Sequence, residues 1–125
     1  MSRFLFVALG AALGANARYV VGLWAAGRFG ASLPYGTFIV NVTGSLLLGF
    51  FVALATERLT LSPQTRLLIT VGFFGSFTTF SSYAVESLAL MRDGGLWSGL
   101  ANVLGNNLVA LIAALVGGYA GRIVG

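Results

Sequence analysis

Four apolar stretches, each long enough to cross a bilayer, dominate the pattern of hydrophobic and polar positions along the chain. They cover residues 4–26, 37–56, 66–91 and 96–121, with short polar connections between them. A membrane-spanning helix needs about 20 predominantly apolar residues, because each residue adds about 1.5 Å against a hydrocarbon core about 30 Å thick. The pattern therefore predicts an all-α membrane protein in which residues 1–125 form a single domain of four transmembrane helices.

The third stretch contains the most unusual segment of the chain, residues 72–83, with the sequence GFFGSFTTFSSY. Five hydroxyl side chains occur within seven residues: Ser76, Thr78, Thr79, Ser81 and Ser82. Polar groups and irregular backbone are tolerated inside a membrane only where they are buried in protein or line a wet cavity. We therefore predict that the third helix is broken mid-membrane, that the freed backbone carbonyls bind a cation, and that the segment lines an anion path.

Polar residues recur at every fourth position on the second and fourth stretches, so they lie on one face of each helix. They are Thr37, Asn41 and Ser45 on the second, and Ser98, Asn102 and Asn106 on the fourth. Asn41 is typical either of an interhelical hydrogen bond, worth about 0.6–2 kcal/mol, or of an amide donor that faces a pore. The spacing alone leaves both interpretations open.

Two charged residues fall inside the predicted helices. Arg18 lies past the midpoint of the first. It either extends its long side chain to the membrane interface or attracts anions in a water-filled vestibule. Glu86 lies near the end of the third, four residues after Ser82. An intramembrane carboxylate indicates a proton or cation site, and the alternative is a structural carboxylate that accepts hydrogen bonds from nearby hydroxyls.

The composition excludes several functional classes. Hydrophobic residues make up 58% of the chain and charged residues only 8%, whereas about a quarter of residues are charged in a soluble domain. There is no cysteine or histidine and there are only three carboxylates, so disulfides, zinc sites and histidine acid–base chemistry are absent and we predict no enzyme. The net charge of +4 comes from arginines that are scattered singly, which argues against nucleic acid as a partner.

The arginines give almost no preferred orientation in the membrane. With four helices, one side carries Arg3, Arg58, Arg66 and Arg122, and the other carries Arg28, Arg92 and, if it reaches the interface, Arg18. Four against three is far from the asymmetry that sets a single orientation. The balance is compatible with insertion in both directions, and so with an antiparallel homodimer whose two-fold axis lies in the membrane plane. Residues 72–82 would be a natural place for that axis.

Three motifs resemble those of the Fluc-type fluoride channels, the CrcB family, and the likeness covers nearly the whole chain. They are GxxxGAxxRY from Gly10, GTFxxNxxGS from Gly36 and GFxGSFTTFS from Gly72. The fourth helix fits more loosely through Asn102 and Asn106. The resemblance implies a dual-topology antiparallel homodimer with two separate fluoride pores, which passively exports fluoride across the cell inner membrane and holds a structural sodium ion at its centre.

The resemblance also implies roles for individual residues. Asn41 is expected to be the pore-facing amide, Phe80 the first pore aromatic, and Arg18 a residue near the aqueous vestibule. The other expected pore residues are Tyr83, Thr79, Ser81 and Asn106. Gly75 and Thr78 match the positions whose backbone carbonyls hold the sodium ion.

Two positions depart from the family pattern. Tyr83 stands where the family usually has phenylalanine, so a hydroxyl is added to the second pore aromatic. Ala110 stands where the family has a serine one turn after Asn106, so the polar track of the fourth helix is shorter than expected.

Two other functions stay open. A small multidrug-type proton-coupled cation transporter also has four spans in about this length and can be antiparallel. That family depends on a carboxylate in its first helix, whereas the first stretch here has none and only Glu86 could substitute. The second is a membrane assembly subunit that transports nothing and is held together by its glycine motifs.

Overall fold

The computed structural model describes residues 2–57 and 60–124, and the regular structure in these ranges is helical throughout. Four helices are long and apolar enough to span a membrane, and we call them the first to fourth spans: Ser2–Phe29, Tyr35–Thr56, Pro63–Asp93 and Leu96–Val124. The predicted all-α architecture with four membrane-spanning helices is therefore confirmed. Each span extends at one or both ends beyond the apolar stretch that predicted it, because a helix can continue past the hydrocarbon core into the polar interface.

The third span consists of two helical halves. The first half runs through α-helical Pro63–Leu67, π-helical Leu68–Phe74 and the turn Gly75–Phe77. The second half is the helix Phe80–Asp93. Between the halves the backbone is extended, with φ −89° and ψ 159° at Thr78 and φ −150° and ψ 124° at Thr79. The break predicted within residues 72–83 is confirmed at these two threonines.

The fourth span also departs from regular α-helix. It runs as Leu96–Leu104, then π-helical Gly105–Val109, then Ala110–Val124. A π-helical turn closes i→i+5 hydrogen bonds and so shifts the side chains that follow it around the helix axis. The shift therefore changes which residues of the fourth span share its polar face.

Local sequence signals set several helix ends. The Ser62 side-chain oxygen accepts a hydrogen bond from the Thr65 amide at 3.1 Å, and Pro63 takes the first helical position. Gly30 and Gly95 have φ of 88° and 99° in the connections that precede the second and fourth spans. L side chains avoid such values, so glycine is needed at both reversals.

Glycines let the spans pack backbone against backbone. A Cβ on Gly10 would collide with the carbonyl oxygen of Leu68, and one on Gly14 with that of Phe73. The first span therefore lies directly on the first half of the third, as the GxxxG motif predicts. The second and fourth spans meet in the same way, because a Cβ on Gly117 would collide with the carbonyl oxygen of Leu46.

The buried interior of the chain is small. Val40, Phe74 and Phe77 form a buried cluster beside the break, while many large apolar side chains point outward, up to the 81% exposed Trp97. This outward distribution suits lipid, in which burial of apolar surface gives no driving force between helices. Close packing and interhelical hydrogen bonds must then hold the spans together.

We expect Gly117→Ala to destabilise the protein, because the new methyl group meets the backbone of the second span and the overpacking costs about 1–3 kcal/mol. Gly27→Ala is the matched control, since a Cβ there meets nothing within 4 Å. Thermal unfolding in detergent should show a lower midpoint for Gly117→Ala and an unchanged or higher one for Gly27→Ala. Equal midpoints for the two variants would contradict this account of the packing.

Candidate functional site

A cavity of about 210 Å³ opens beside the helix break. Its wall comes from the second span, the break itself and the π-helical region of the fourth span, with these lining residues: Asn41, Ser45, Thr78, Thr79, Phe80, Tyr83, Asn106, Asn107 and Ala110. Five of the seven predicted pore residues therefore meet in one place. The other two, Arg18 and Ser81, do not line this cavity.

Asn41 holds the break together. Its Nδ2 donates to the carbonyl oxygen of Thr79 at 3.0 Å, and its Oδ1 accepts from the amide of Thr79 at 2.8 Å. The side chain thus replaces the helical acceptor that the Thr79 amide lacks in its extended conformation, and it gives the carbonyl of this N-cap residue a side-chain donor. Buried backbone groups need such partners, because leaving them unpaired costs as much as a lost hydrogen bond.

A chain of hydrogen bonds runs from Asn41 across the fourth span and back to the third. Asn41 Nδ2 donates to Asn106 Oδ1 at 2.9 Å, and Asn106 Nδ2 in turn donates to the backbone and side-chain oxygens of Asn102 at 3.0 and 3.1 Å. Asn102 Nδ2 then donates to the Ser87 hydroxyl at 2.8 Å, and Ser87 donates to the carbonyl oxygen of Tyr83 at 2.7 Å. Asn41 therefore makes the interhelical hydrogen bonds of the first interpretation, and its side chain also lines the cavity.

The cavity contains two kinds of polar group. The amides of Asn41 and Asn106 each have two acceptors for their two N–H groups. The hydroxyl of Thr79 instead accepts from the Ser82 amide at 3.2 Å, so this bond leaves its own proton unused. The Ser45 hydroxyl makes no hydrogen bond within the part of the chain that the structure describes. The Thr78 hydroxyl donates to the carbonyl oxygen of Phe74 at 2.9 Å. The amides and Thr78 therefore build the wall, and the hydroxyls of Thr79 and Ser45 have protons to offer to an anion.

The aromatic residues divide at the break. Phe73 and Phe77 stack with ring centroids 5.6 Å apart in the first half. Phe80 packs edge-on against Tyr83 at 5.1 Å and 71° in the second half. The aromatic residues therefore form two separate pairs and not one continuous stripe, because Thr78 and Thr79 are not helical. Phe80 is 75% exposed at the cavity, whereas the Tyr83 ring is buried.

Arg18 contacts the backbone of the break. Its Nε donates to the carbonyl oxygen of Ser76 at 3.1 Å, and the side chain is partly buried. The guanidinium therefore does not extend freely to the membrane interface. It provides a hydrogen-bond donor for one carbonyl next to the break. That carbonyl belongs to the first half of the third span, and Arg18 is not part of the lining of the 210 Å³ cavity.

The break also frees the two carbonyls predicted to bind sodium. In a continuous helix the carbonyl oxygen of residue i accepts from the amide of residue i+4. The amide of Thr79 goes to Asn41, so the carbonyl of Gly75 loses that donor. The amide of Ser82 goes to the Thr79 hydroxyl, so the carbonyl of Thr78 loses its donor too. Both carbonyls fit the chemistry of a hard cation, which prefers oxygen ligands.

Glu86 lies in a different and larger cavity of about 560 Å³, which the connection between the first two spans helps to form. The Thr37 hydroxyl donates to Glu86 Oε2 at 3.1 Å, while Glu86 Oε1 is buried without a partner among the described residues. This contact agrees with the alternative of a structural carboxylate that accepts a hydrogen bond from a hydroxyl. The hydroxyl belongs to the second span, and not to Ser82, which precedes Glu86 by four residues.

The sequence did not indicate Asn107 or Ser87 as members of this site. Ordinary helical spacing places Asn107 about 100° away from Asn106. The π-helical turn Gly105–Val109 brings both to the cavity, and Asn107 Nδ2 donates to the Tyr83 hydroxyl at 2.6 Å. Two adjacent asparagines in an apolar span were the only available signal. Ser87 follows Tyr83 by one helical turn, a spacing that did not by itself suggest a role.

Comparison with known proteins gives a family for this arrangement. The family described as "CrcB-like protein, Camphor Resistance (CrcB)" matches residues 5–118. A relative from Chloroflexus aurantiacus named "Fluoride-specific ion channel FluC" is 46% identical over 122 residues, which cover 98% of this chain and 97% of the relative. Relatives of the same name from Trichormus variabilis and Koribacter versatilis are each 47% identical, covering 95% and 92% of this chain and 88% and 91% of their own lengths. The match includes all four spans and the broken helix, and the chain therefore belongs to the CrcB family, a family of ion channels and not of enzymes.

Proposed function

We propose that this chain is a fluoride-selective channel that gives passive export of fluoride across the cell inner membrane. The observation that carries the proposal is the cavity at the break, whose described lining combines neutral donors with aromatic rings and includes no charged side chain. Its relatives are named fluoride-specific ion channels, which agrees with this chemistry. Hydrogen fluoride crosses lipid as a neutral acid and dissociates inside, so the trapped anion needs such an exit.

Neutral donors suit conduction of a small and strongly hydrated anion. The pore must replace the hydrogen bonds of water closely, yet each site must be weak enough to release the ion. Hydroxyls such as that of Thr79 supply O–H donors, while Asn41 and Asn106 hold the wall in place. A buried fixed cation would bind fluoride too tightly, and Arg18 is accordingly occupied at a backbone carbonyl outside the cavity.

Ring edges supply the second type of contact. The edge of an aromatic ring carries the positive part of its quadrupole, and such contacts are worth about 0.5–1.5 kcal/mol. Phe80 lines the cavity and lies edge-on to Tyr83. A narrow passage between two rings would also exclude larger halides.

The functional unit proposed is an antiparallel homodimer with two pores. Three observations support it: Phe80 is 75% exposed at the cavity, and Ser81 and Asn107 are polar and exposed within spans. Polar groups are unfavourable against lipid, so a protein surface or water must cover them. A second copy in the opposite orientation would supply that cover and close the pores, which fits the nearly balanced arginines.

The proposed dimer holds a structural sodium ion through the carbonyls of Gly75 and Thr78. Gly75 is exposed at the surface of the protomer, where two copies could meet. Two carbonyls from each copy would then form a four-oxygen cage, and unwound carbonyls that hold Na⁺ are a known arrangement in membrane proteins. The bound ion would fix the position of the break and would not move with fluoride. A fluoride flux that followed an imposed sodium gradient would therefore contradict this role.

Purified protein in liposomes should release fluoride much faster than chloride, and Phe80→Leu should slow fluoride release about two- to tenfold through loss of the ring edge. Phe4→Leu is the matched control, because Phe4 is also exposed but lies in the first turn of the first span. Ion-selective electrodes measure both anions. Equal release of the two anions would refute the channel proposal.

The same vesicles test the transporter alternative, which the unpartnered oxygen of Glu86 favours. Proton-driven efflux of an organic cation that Glu86→Gln abolishes would support a multidrug-type transporter. Fluoride release retained by Glu86→Gln would support the channel. Absence of any fluoride release from the unsubstituted protein would instead favour an assembly subunit.

We expect Asn41→Asp to lower both stability and fluoride release. The carboxylate cannot donate to the Thr79 carbonyl or to Asn106, and each unpaired group costs about 1–3 kcal/mol. Asn16→Asp is the control, since Asn16 is exposed and bonds only to the carbonyl of Ala12 in its own helix. Thermal unfolding and efflux are measured together. An Asn41→Asp protein with unchanged unfolding would show that the side chain does not hold the break.

Gly75→Val should dissociate the proposed dimer without unfolding the protomer. Within one copy a Cβ at Gly75 meets only the Thr70 carbonyl oxygen, at an ordinary 3.7 Å, so a defect must come from the partner. Gly27→Val is the control, because that position is equally open. Subunit counting in membranes measures the effect. Since the chain has no cysteine, Ser32→Cys can report orientation, and labelling from one side of the membrane only would contradict dual topology.

A further inference from the structure

The contact between Asn107 and Tyr83 has a defined direction. Asn107 Nδ2 lies 2.6 Å from the Tyr83 hydroxyl and 2.8 Å from the carbonyl oxygen of Val103. A carbonyl oxygen can only accept, so the NH₂ group and not the amide oxygen must face it. The same nitrogen therefore donates to Tyr83, whose hydroxyl oxygen is the acceptor. The O–H proton of Tyr83 is not used in this bond.

The Tyr83 proton has no acceptor within residues 2–57 and 60–124, although the side chain is only 8% exposed. The residue lines the 210 Å³ cavity together with Thr79 and Asn106. A buried donor without a partner is unfavourable, and an acceptor that enters the cavity relieves it. The bond from Asn107 also strengthens the donor, since hydrogen bonds in a chain polarise one another.

We infer that the Tyr83 hydroxyl donates a hydrogen bond to the anion in this pore and that Asn107 is the residue that positions it. The inference rests on the proposed fluoride channel and names a specificity-determining contact within it. Where the family usually has a phenylalanine, a ring edge is the only donor at this position, whereas this chain also offers an O–H group. Asn107 itself does not touch the anion, because both of its N–H groups are engaged with Tyr83 and Val103.

A purely structural bond between the third and fourth spans would have different consequences. The hydroxyl would then affect how firmly the spans pack, and its removal would alter unfolding but not the discrimination between anions. A donating hydroxyl affects the anion directly. Its removal should affect fluoride more than chloride, because the smaller anion gains more from a short O–H contact.

The experiment compares fluoride and chloride efflux from liposomes for the full chain and four variants. Tyr83→Phe should slow fluoride release about threefold to tenfold and lower the fluoride-to-chloride ratio. Asn107→Leu should have a smaller effect of the same sign. The double variant should match Tyr83→Phe alone, because Asn107 acts only through the hydroxyl. Tyr119→Phe is the control, an exposed tyrosine on the same apolar spans that lines neither cavity.

The outcomes separate this inference from the proposed function. An unsubstituted protein that releases no fluoride refutes both. An unsubstituted protein that is selective for fluoride, with a Tyr83→Phe variant of the same rate and ratio, overturns the inference and leaves the channel proposal in place. Thermal unfolding of each variant is recorded alongside, and a change in stability without a change in the anion ratio shows a structural bond only.

Discussion

The pairing of one asparagine side chain with the backbone amide and carbonyl of a single residue, Thr79, is the interaction on which the rest of the structure depends. A helix break inside a membrane leaves backbone groups that lipid cannot satisfy. Asn41 has one acceptor and two donors, and it uses them for the amide and the carbonyl of Thr79 and for Asn106. Because a single amide satisfies both sides of the break, the two threonines can remain extended and the third span can begin a new helix at Phe80.

The asparagine amides and the hydroxyls at the cavity have different hydrogen-bonding roles. The asparagine amides are committed to one another and to the backbone, so they make the cavity rigid. Two hydroxyls are anchored as acceptors, Thr79 by the amide of Ser82 and Tyr83 by the side chain of Asn107, and these bonds orient them without using their protons. In the proposed channel these two hydroxyls would donate to an anion without enclosing it, and conduction requires weak sites of this kind.

The sequence predicts the spans and the break well, because both follow from local rules: apolar length for the spans, and the glycine and hydroxyl run of residues 72–83 for the break. It predicts less of the site. The membership of Asn107 depends on the π-helical turn at Gly105–Val109, and hydrophobic spacing does not encode i→i+5 bonding. The partner of Arg18 is a backbone carbonyl of Ser76, which no side-chain pattern reveals. The spacing of Asn41 is typical of an interhelical bond or of a pore-facing donor, and the structure shows that both of its N–H groups bond within the protein.

The two aromatic rings at the cavity, Phe80 and Tyr83, are held in different ways, and this difference indicates which part of the site the chain leaves without support. Tyr83 is buried, accepts a hydrogen bond from Asn107 at its hydroxyl and has its carbonyl bonded to Ser87. Phe80 is 75% exposed and has only Tyr83 as an aromatic neighbour. A ring that must present its edge to an anion has to be held at a definite angle. Since the chain itself holds only Tyr83 in this way, the orientation of Phe80 must come from a surface that packs against it, and the partner in the proposed antiparallel dimer is the surface that fits.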